Sequence, residues 1–114
     1  MLATQERELA FIEKFKEGKL LNNRILHDVY NVIVDRRDNP KEGSYTNYLF
    51  GKGLDKMLKK VGEEASEVII GAKNGDKDNV RCEVADLLYH LSVVLVEQGL
   101  TWDDVFAELE NRYK

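Results

Sequence analysis

Hydrophobic residues recur at three- and four-residue steps along most of the chain, which is the period of an amphipathic α-helix. The two longest stretches with this period run over residues 54–73 and 77–98. Shorter ones lie over residues 4–16, from Ile25 to Pro40, from Tyr45 to Gly53 and after Thr101. No stretch calls for a strand. The pattern therefore predicts an all-α fold, a bundle of four to five helices whose central antiparallel pair is formed by the two long stretches.

Each predicted helix has one face rich in apolar side chains, and we expect these faces to form the core. On the first long helix they are Met57, Leu58, Val61, Ala65, Val68, Ile69 and Ala72. On the second they are Val84, Leu87, Leu88, Leu91, Val94 and Leu95. The last helix offers Trp102, Val105, Phe106 and Leu109 as a cover for the bundle. Gly62 and Gly71 interrupt the first long helix at a cost of ~0.8–1 kcal/mol each relative to alanine, which indicates a close approach by a ligand or a neighbouring helix.

The boundaries of the long helices carry recognisable signals. Asn74–Gly75 separates the two helices and supplies a glycine suited to the left-handed position after a helix. Asp76 or Asp78 follows as an N-cap for the second helix, and Thr101 with Asp104 has the spacing of a capping box for the last one. Because the turn at Asn74–Gly75 is tight, the two long helices are expected to be antiparallel neighbours.

Two acidic pairs occupy the central helices. Glu64 and Glu67 lie three residues apart on the first helix. Glu83 and Asp86 repeat this spacing on the second, so each pair shares one helix face, and the two pairs lie at similar distances from the turn. Four converging carboxylates repel one another unless a cation joins them, and Mg²⁺ or Mn²⁺ is the usual cation for oxygen ligands. The alternative is that these are solvated charges on exposed faces.

Basic side chains accompany the acidic ones. Lys56 and Lys60 precede Glu64 at successive four-residue steps. Beside a metal, lysines would neutralise oxygen charge on a polyphosphate during attack at phosphorus, but the same spacing also describes a salt-bridge ladder worth roughly a few tenths of a kcal/mol per pair. His90, four residues after Asp86, is either a group that supports the site or binds phosphate, or a simple helix-surface partner of Asp86.

Composition narrows the class of protein. The 114 residues suffice for one domain with its own core, and 17 Lys and Arg against 21 Asp and Glu give a net charge of −4, which disfavours a nucleic-acid partner. No run approaches the ~18 consecutive apolar residues of a membrane span. Glu6, Arg7 and Glu8 interrupt any signal-peptide core, so we expect no membrane partner and a cytoplasmic protein. The single cysteine, Cys82, excludes a disulfide within the chain and a cysteine-built zinc site.

Several blocks of sequence resemble a known family. They are Gly43-Ser44-Tyr45-Thr46, Gly53-Leu54-Asp55-Lys56, Lys59-Lys60-Val61-Gly62-Glu63-Glu64, Glu67-Val68-Ile69-Ile70 and Glu83-Val84-Ala85-Asp86-Leu87-Leu88-Tyr89-His90. Together they resemble the phosphoribosyl-ATP pyrophosphatases of histidine biosynthesis over about residues 26–112. The Glu64-x-x-Glu67 and Glu83-x-x-Asp86 pairs also match the wider superfamily of all-α nucleotide pyrophosphatases.

The resemblance implies an activity and a site. The expected reaction is hydrolysis of phosphoribosyl-ATP to phosphoribosyl-AMP and pyrophosphate, the second step of histidine biosynthesis, by Mg²⁺-assisted attack of water at phosphorus, with Mn²⁺ as a substitute. The implied metal ligands are Glu64, Glu67, Glu83 and Asp86. One of these or Glu63 is expected to orient the water. The implied substrate-binding residues are Ser44, Tyr45, Thr46, Lys56, Lys60 and His90.

The resemblance also implies a homodimer whose site draws on both chains, in the stand-alone form, because 114 residues leave no room for the fused cyclohydrolase of some family members. It does not extend to residues 1–23, which we interpret as an N-terminal helical extension of a pyrophosphohydrolase domain at residues 24–114. Two other functions stay open. One is a house-cleaning nucleoside or deoxynucleoside triphosphate pyrophosphatase of the same superfamily, and the other is a non-enzymatic helical dimerisation module whose acidic stripe is a solvated face.

Overall fold

The computed structural model describes residues 22–113, and all regular structure within that range is helical. The helices are α1 Ile25–Asp38, α2 Tyr45–Lys52, α3 Leu54–Lys73, α4 Lys77–Gln98 and α5 Trp102–Arg112. This confirms the predicted all-α bundle with α3 and α4 as its central pair. The predicted N-terminal extension, with its helix at residues 4–16, lies outside the described residues except for positions 22 and 23, so the domain boundary stays a prediction. Among the described helices, none is long and apolar enough to cross a membrane.

The hairpin of α3 and α4 provides the most extensive helix contact of the described fold. Its turn contains Gly75 with φ +69°, and the Asp76 carboxylate caps α4 by accepting a hydrogen bond from the backbone N–H of Asn79 at 3.1 Å. Gly71 lies at the helix contact, where an added Cβ would stand 3.1 Å from Nδ2 of Asn79. At Gly62 an added Cβ would meet no described atom within 4 Å. The close helix approach predicted from the glycines is therefore confirmed at Gly71.

The segment between α1 and α2 is held by side-chain hydrogen bonds to the backbone. Ser44 caps α2, since its hydroxyl accepts from the N–H of Asn47 at 3.2 Å. The Asn47 amide donates to the carbonyl of Arg36 at 2.6 Å and accepts from the N–H of Lys41 at 2.9 Å. Gly53, with φ +92°, then allows the chain to turn directly from α2 into α3. These contacts hold the start of α2 against the rest of the bundle.

The core joins the first four helices. Its fully buried side chains are Ile33, Leu49, Met57, Val93 and Val96. The predicted capping box at Thr101 and Asp104 is present and starts α5. Its first residue, Trp102, is buried and donates from Nε1 to Oγ of Ser92 at 2.9 Å. Trp102 therefore packs α5 on α4 as predicted, whereas Leu109, which was predicted to join this cover, is 49% exposed.

The predicted core faces of α3 and α4 are wrong in part. Leu58 and Ile69 of α3 are 47% and 69% exposed, and Val84 and Leu88 of α4 are more than a third exposed. The buried positions of α4 are Cys82, Asp86, His90, Ser92, Val93 and Val96. The reason is that helical periodicity locates an apolar stripe without saying what covers it, and the described chain places another stripe of α4 inward.

Candidate active site

Three carboxylates from the central hairpin lie together. One ligand oxygen each from Glu64 of α3 and from Glu83 and Asp86 of α4 lies within 4.8 Å of the others. Asp86 is buried, and Glu64 and Glu83 are half-buried. The antiparallel packing of α3 and α4 produces this convergence, because the residues lie at matching distances from the turn on facing helices. The structure thus brings together three of the four predicted metal ligands.

The other two predicted acidic residues lie outside this group. Glu67 is exposed on α3, one turn nearer the hairpin turn. Glu63 is exposed as well, and its carboxylate is 3.4 Å from Nζ of Lys60 and 4.0 Å from Nζ of Lys59. The Lys60 side chain therefore pairs with Glu63, the neighbour of Glu64. Lys56 is half-buried, with Nζ 6.0 Å from the centre of the Tyr48 ring.

The electrostatics of the three carboxylates suit a divalent cation. Burial, together with the negative charges of Asp86 and Glu83, raises the pKa of Glu64 to about 7. A cation among these oxygens would remove the repulsion, and carboxylate oxygens are the ligands that Mg²⁺ and Mn²⁺ prefer. The donor set therefore fits a hard divalent cation held by Glu64, Glu83 and Asp86.

His90 lies beside the carboxylates and is buried, with only 4% of its side chain exposed. Its Nδ1 contacts Oε1 of Glu64 and lies 3.0 Å from the carbonyl oxygen of Asp86. Its Nε2 lies 2.9 Å from the hydroxyl of Tyr45. Burial lowers the pKa of His90, against the opposing effect of the hydrogen bond to the Asp86 carbonyl. Both ring nitrogens therefore have partners within the protein.

The three predicted substrate-binding residues at the start of α2 all have contacts within the chain. Ser44 is the N-cap, Tyr45 reaches His90, and the Thr46 hydroxyl is hydrogen-bonded to the hydroxyl of Tyr89. Ser44 and Tyr45 also line an open depression of about 630 Å³ along the preceding loop. Tyr45 thus joins a concave surface to the group beside the carboxylates. Burial raises the pKa of Tyr45 to about 12, so its hydroxyl keeps its proton.

Sequence reasoning did not single out three residues that organise this region. Tyr89 bonds Thr46, Tyr48 lies beside Lys56, and Asn47 anchors the loop before α2. Asn47 had a detectable signal, because asparagine in the first turn of a helix usually bonds nearby backbone groups. The two tyrosines had none, since aromatic residues at helical spacing are typical of a core.

The fold and the carboxylate group define a class of protein, the all-α bundles that build a site from acidic side chains on two facing helices. Within this class the family is shown by sequence. The sequence model of the family described as phosphoribosyl-ATP pyrophosphohydrolase matches residues 26–113. The chain belongs to this family, which confirms the resemblance of its motifs.

Individual relatives are of two kinds. The histidine biosynthesis bifunctional proteins HisIE of Thermoanaerobacter pseudethanolicus and Caldanaerobacter subterraneus are 63% and 55% identical over 87 and 104 residues, which are 76% and 91% of this chain. These matches cover 40% and 51% of the relatives, so the chain spans about half the length of these two proteins or less. The phosphoribosyl-ATP pyrophosphatase of Streptococcus thermophilus is 62% identical over 88 residues, 77% of this chain and 85% of the relative.

Proposed function

We propose that this chain hydrolyses phosphoribosyl-ATP to phosphoribosyl-AMP and pyrophosphate in histidine biosynthesis, with Mg²⁺ as cofactor and Mn²⁺ as a substitute. The observation that carries the proposal is the group formed by Glu64, Glu83 and Asp86, whose ligand oxygens lie within 4.8 Å of one another on a hairpin that the family match covers. The relatives named as phosphoribosyl-ATP pyrophosphatases support the choice of substrate.

The proposed division of labour follows the placement of the side chains. Glu64, Glu83 and Asp86 hold the cation, and Glu67 completes the set on the exposed side of α3. When bound, the cation supplies a Lewis acid that withdraws charge from the phosphate oxygens. One of these carboxylates, or Glu63, exposed beside Glu64, orients the water that attacks phosphorus.

The cationic and polar groups around the carboxylates bind the substrate in this proposal. Lys56 and Lys60 lie on α3 two turns and one turn before Glu64, where their ammonium groups offset charge on the departing pyrophosphate. Ser44 and Tyr45 lie on the open depression before α2 and would contact the nucleotide there. No covalent enzyme intermediate is required, because water reaches phosphorus directly.

The proposed functional unit is a homodimer. Large apolar side chains are exposed on all five described helices, among them Ile25 of α1, Ile69 of α3 and Leu88 of α4. Leu88 and Ile25 also line an apolar groove of about 320 Å³ between α1 and α4. Exposed apolar surface of this extent is typical of a subunit interface, and a second copy of the chain would cover it.

A pyrophosphate-release assay tests the proposal. The chain is supplied with phosphoribosyl-ATP and, at equal concentration, with each deoxynucleoside triphosphate, with Mg²⁺ and with excess chelator. We expect Mg²⁺-dependent release that is fastest on phosphoribosyl-ATP. Faster turnover of a deoxynucleoside triphosphate would replace the proposed function with that of a house-cleaning pyrophosphatase. No release from any nucleotide would favour a non-enzymatic dimerisation module.

A further inference from the structure

We propose that Tyr45 and His90 are positioning residues that hold the carboxylate of Glu64 in the acidic group formed with Glu83 and Asp86. The proposal deepens the proposed function and rests on it, because it assumes that Glu64 is a metal ligand. It also gives His90 a role other than direct contact with phosphate.

The geometry links three helices through one buried ring. His90 belongs to α4, Tyr45 to the first turn of α2, and Glu64 to the middle of α3. The ring lies between its two partners, with Nε2 at 2.9 Å from the Tyr45 hydroxyl and Nδ1 against Oε1 of Glu64. Only 4% of the His90 side chain and 14% of the Glu64 side chain are exposed, so water has little access to this contact. The position of Glu64 is thereby tied to α2, which lies outside the hairpin.

The hydrogen bonds determine where the ring proton lies. A backbone carbonyl only accepts, so Nδ1 must carry the proton that it donates to the Asp86 carbonyl at 3.0 Å. In a neutral ring Nε2 is then an acceptor, and the Tyr45 hydroxyl donates to it. Oε1 of Glu64 lies against this same nitrogen without a hydrogen bond of its own, so the ring limits the position of the carboxylate by contact. No ring nitrogen is left for a phosphate oxygen.

Two aromatic contacts restrict rotation of the ring. The His90 ring meets Tyr45 edge-on at 5.7 Å between centroids and an interplanar angle of 84°. It meets Tyr89 at 5.1 Å and 81°. A ring held by two neighbours and two hydrogen bonds keeps Nδ1 directed at one place. Groups that orient a metal ligand in this way typically contribute a factor of ~10–100 to metal affinity or activity.

The first experiment measures the tautomer and needs neither substrate nor metal. The chain contains two histidines, so labelling with ¹⁵N-histidine gives two sets of ring signals, and His27→Gln assigns them. Above the ordinary pKa range of histidine, we expect His90 as the Nδ1–H tautomer in the full-length chain. Observation of the Nε2–H tautomer would overturn the proposal.

The second experiment measures the affinity for Mn²⁺ alone by titration. Tyr45→Phe removes only the hydroxyl that bonds His90, and we expect Mn²⁺ to bind about 10-fold more weakly. Tyr113→Phe is the matched control, because Tyr113 is 82% exposed, and it should bind Mn²⁺ as the wild type does. Unchanged affinity in Tyr45→Phe would overturn the positioning role.

A pair of His90 variants separates positioning from mere packing. The amide nitrogen of asparagine superposes approximately on Nδ1 of histidine, and that of glutamine on Nε2. His90→Asn should therefore retain more Mn²⁺ affinity than His90→Gln, with both variants folded by circular dichroism. Equal losses in the two would indicate packing alone and overturn the proposal.

The outcomes for the two proposals are distinguishable. Mn²⁺ binding that depends on Tyr45 and His90, without turnover of phosphoribosyl-ATP, would overturn the proposed substrate and support the positioning role. Wild-type turnover together with wild-type Mn²⁺ affinity in Tyr45→Phe would do the reverse. A wild-type chain that binds neither Mn²⁺ nor Mg²⁺ would overturn both.

Discussion

Helix α4 has polar side chains on its buried face and apolar side chains on its exposed face. Cys82, Asp86 and His90 lie on its buried face, although Asp86 and His90 are polar. Val84 and Leu88, which helical periodicity places on the opposite side, are more than a third exposed. A helix of an isolated bundle normally shows the reverse distribution, with its apolar stripe inward.

The two faces of α4 differ in what stabilises them: buried polar side chains need hydrogen-bond partners, and exposed apolar side chains need a covering surface. Buried polar groups destabilise a fold unless they have partners, and here the His90 ring bonds Tyr45 and the Asp86 carbonyl while the Ser92 hydroxyl bonds Trp102. The polar groups of the inner face therefore have partners, and the apolar Val93 and Val96 are buried on the same helix. The outer face keeps apolar residues that the described chain leaves exposed, as expected if a second copy covers them.

The largest expected effect comes from neutralising Glu64 of α3, which faces Asp86 on the buried face of α4. If the proposed site is right, Glu64→Gln should lower pyrophosphate release by two or more orders of magnitude, because it removes a proposed ligand of the cation and not a core contact. The far-ultraviolet circular dichroism should stay that of the wild type. Glu97→Gln changes an exposed glutamate of the same bundle and is the control. A Glu64→Gln variant with near-wild-type turnover would contradict the metal assignment.

A charged substitution on the exposed apolar face of α4 tests whether this face is a subunit interface. Leu88→Asp places a carboxylate in the groove between α1 and α4, so we expect self-association to weaken about 30-fold, which corresponds to ~2 kcal/mol. Light scattering after size-exclusion chromatography measures the mass across a dilution series. Leu109→Asp alters an exposed leucine of α5 and should keep the wild-type mass. Equal dissociation of both variants would contradict an interface at α1 and α4.

The pH dependence of stability reports on the charges of Glu64 and of His90 on the buried face of α4. Without metal, the pKa of Glu64 is raised to about 7 from its ordinary value of 4.5. Between these values the folded chain keeps a proton that the unfolded chain has released, so the free energy of unfolding falls as pH rises through this range. His90 contributes in the opposite sense, because its lowered pKa makes the folded state lose stability as pH falls below 6.5.

The variant Glu64→Gln separates the contribution of Glu64 to the pH dependence of stability from that of His90. Urea unfolding of the wild type and of Glu64→Gln, with chelator present, gives the difference between them at about pH 5 and about pH 7.5. We expect the variant to gain stability relative to the wild type at the higher pH. A saturating concentration of Mg²⁺ should restore the wild type most strongly at that same pH, since metal binding displaces the proton. A difference that does not vary with pH would contradict the raised pKa.

The smallest expected effect comes from Lys60, which lies on α3 one turn before Glu64. Lys60→Ala should raise KM for the nucleotide about fivefold with little change in kcat, as expected for the loss of ~1 kcal/mol of contact with a phosphate. Lys59→Ala is matched, because both lysines lie near the carboxylate of Glu63. If the two variants have the same kinetics, Lys60 belongs to the salt-bridge ladder.

Local signals in the chain predicted the fold well. The cap at Asp76, the glycine at position 75 and the capping box at Thr101 and Asp104 are all present, and they set the ends of α3, α4 and α5. These features depend on residues a few positions apart, so the sequence shows them directly. The cap at Ser44 was missed, because that residue was interpreted only as a contact for the substrate.

The candidate site was predictable in part for the same reason. The spacing of Glu64, Glu83 and Asp86 relative to one tight turn was enough to expect convergence, and the three carboxylates do meet. Glu67 shares the spacing but is exposed and outside that group. A helix face spans several directions, and only the rotation of α3 against α4 decides which acidic side chains turn inward.

The sequence by itself determined the helices, their ends, the antiparallel hairpin and the family, because each depends on local spacing or on blocks of contiguous residues. Only the tertiary structure decided that α4 packs through the face that bears Asp86 and His90. It also decided that Tyr45, 45 positions away along the chain, reaches that histidine. The physical reason is that burial and hydrogen-bond partners are properties of packed helices, and periodicity within one helix does not specify what lies against it.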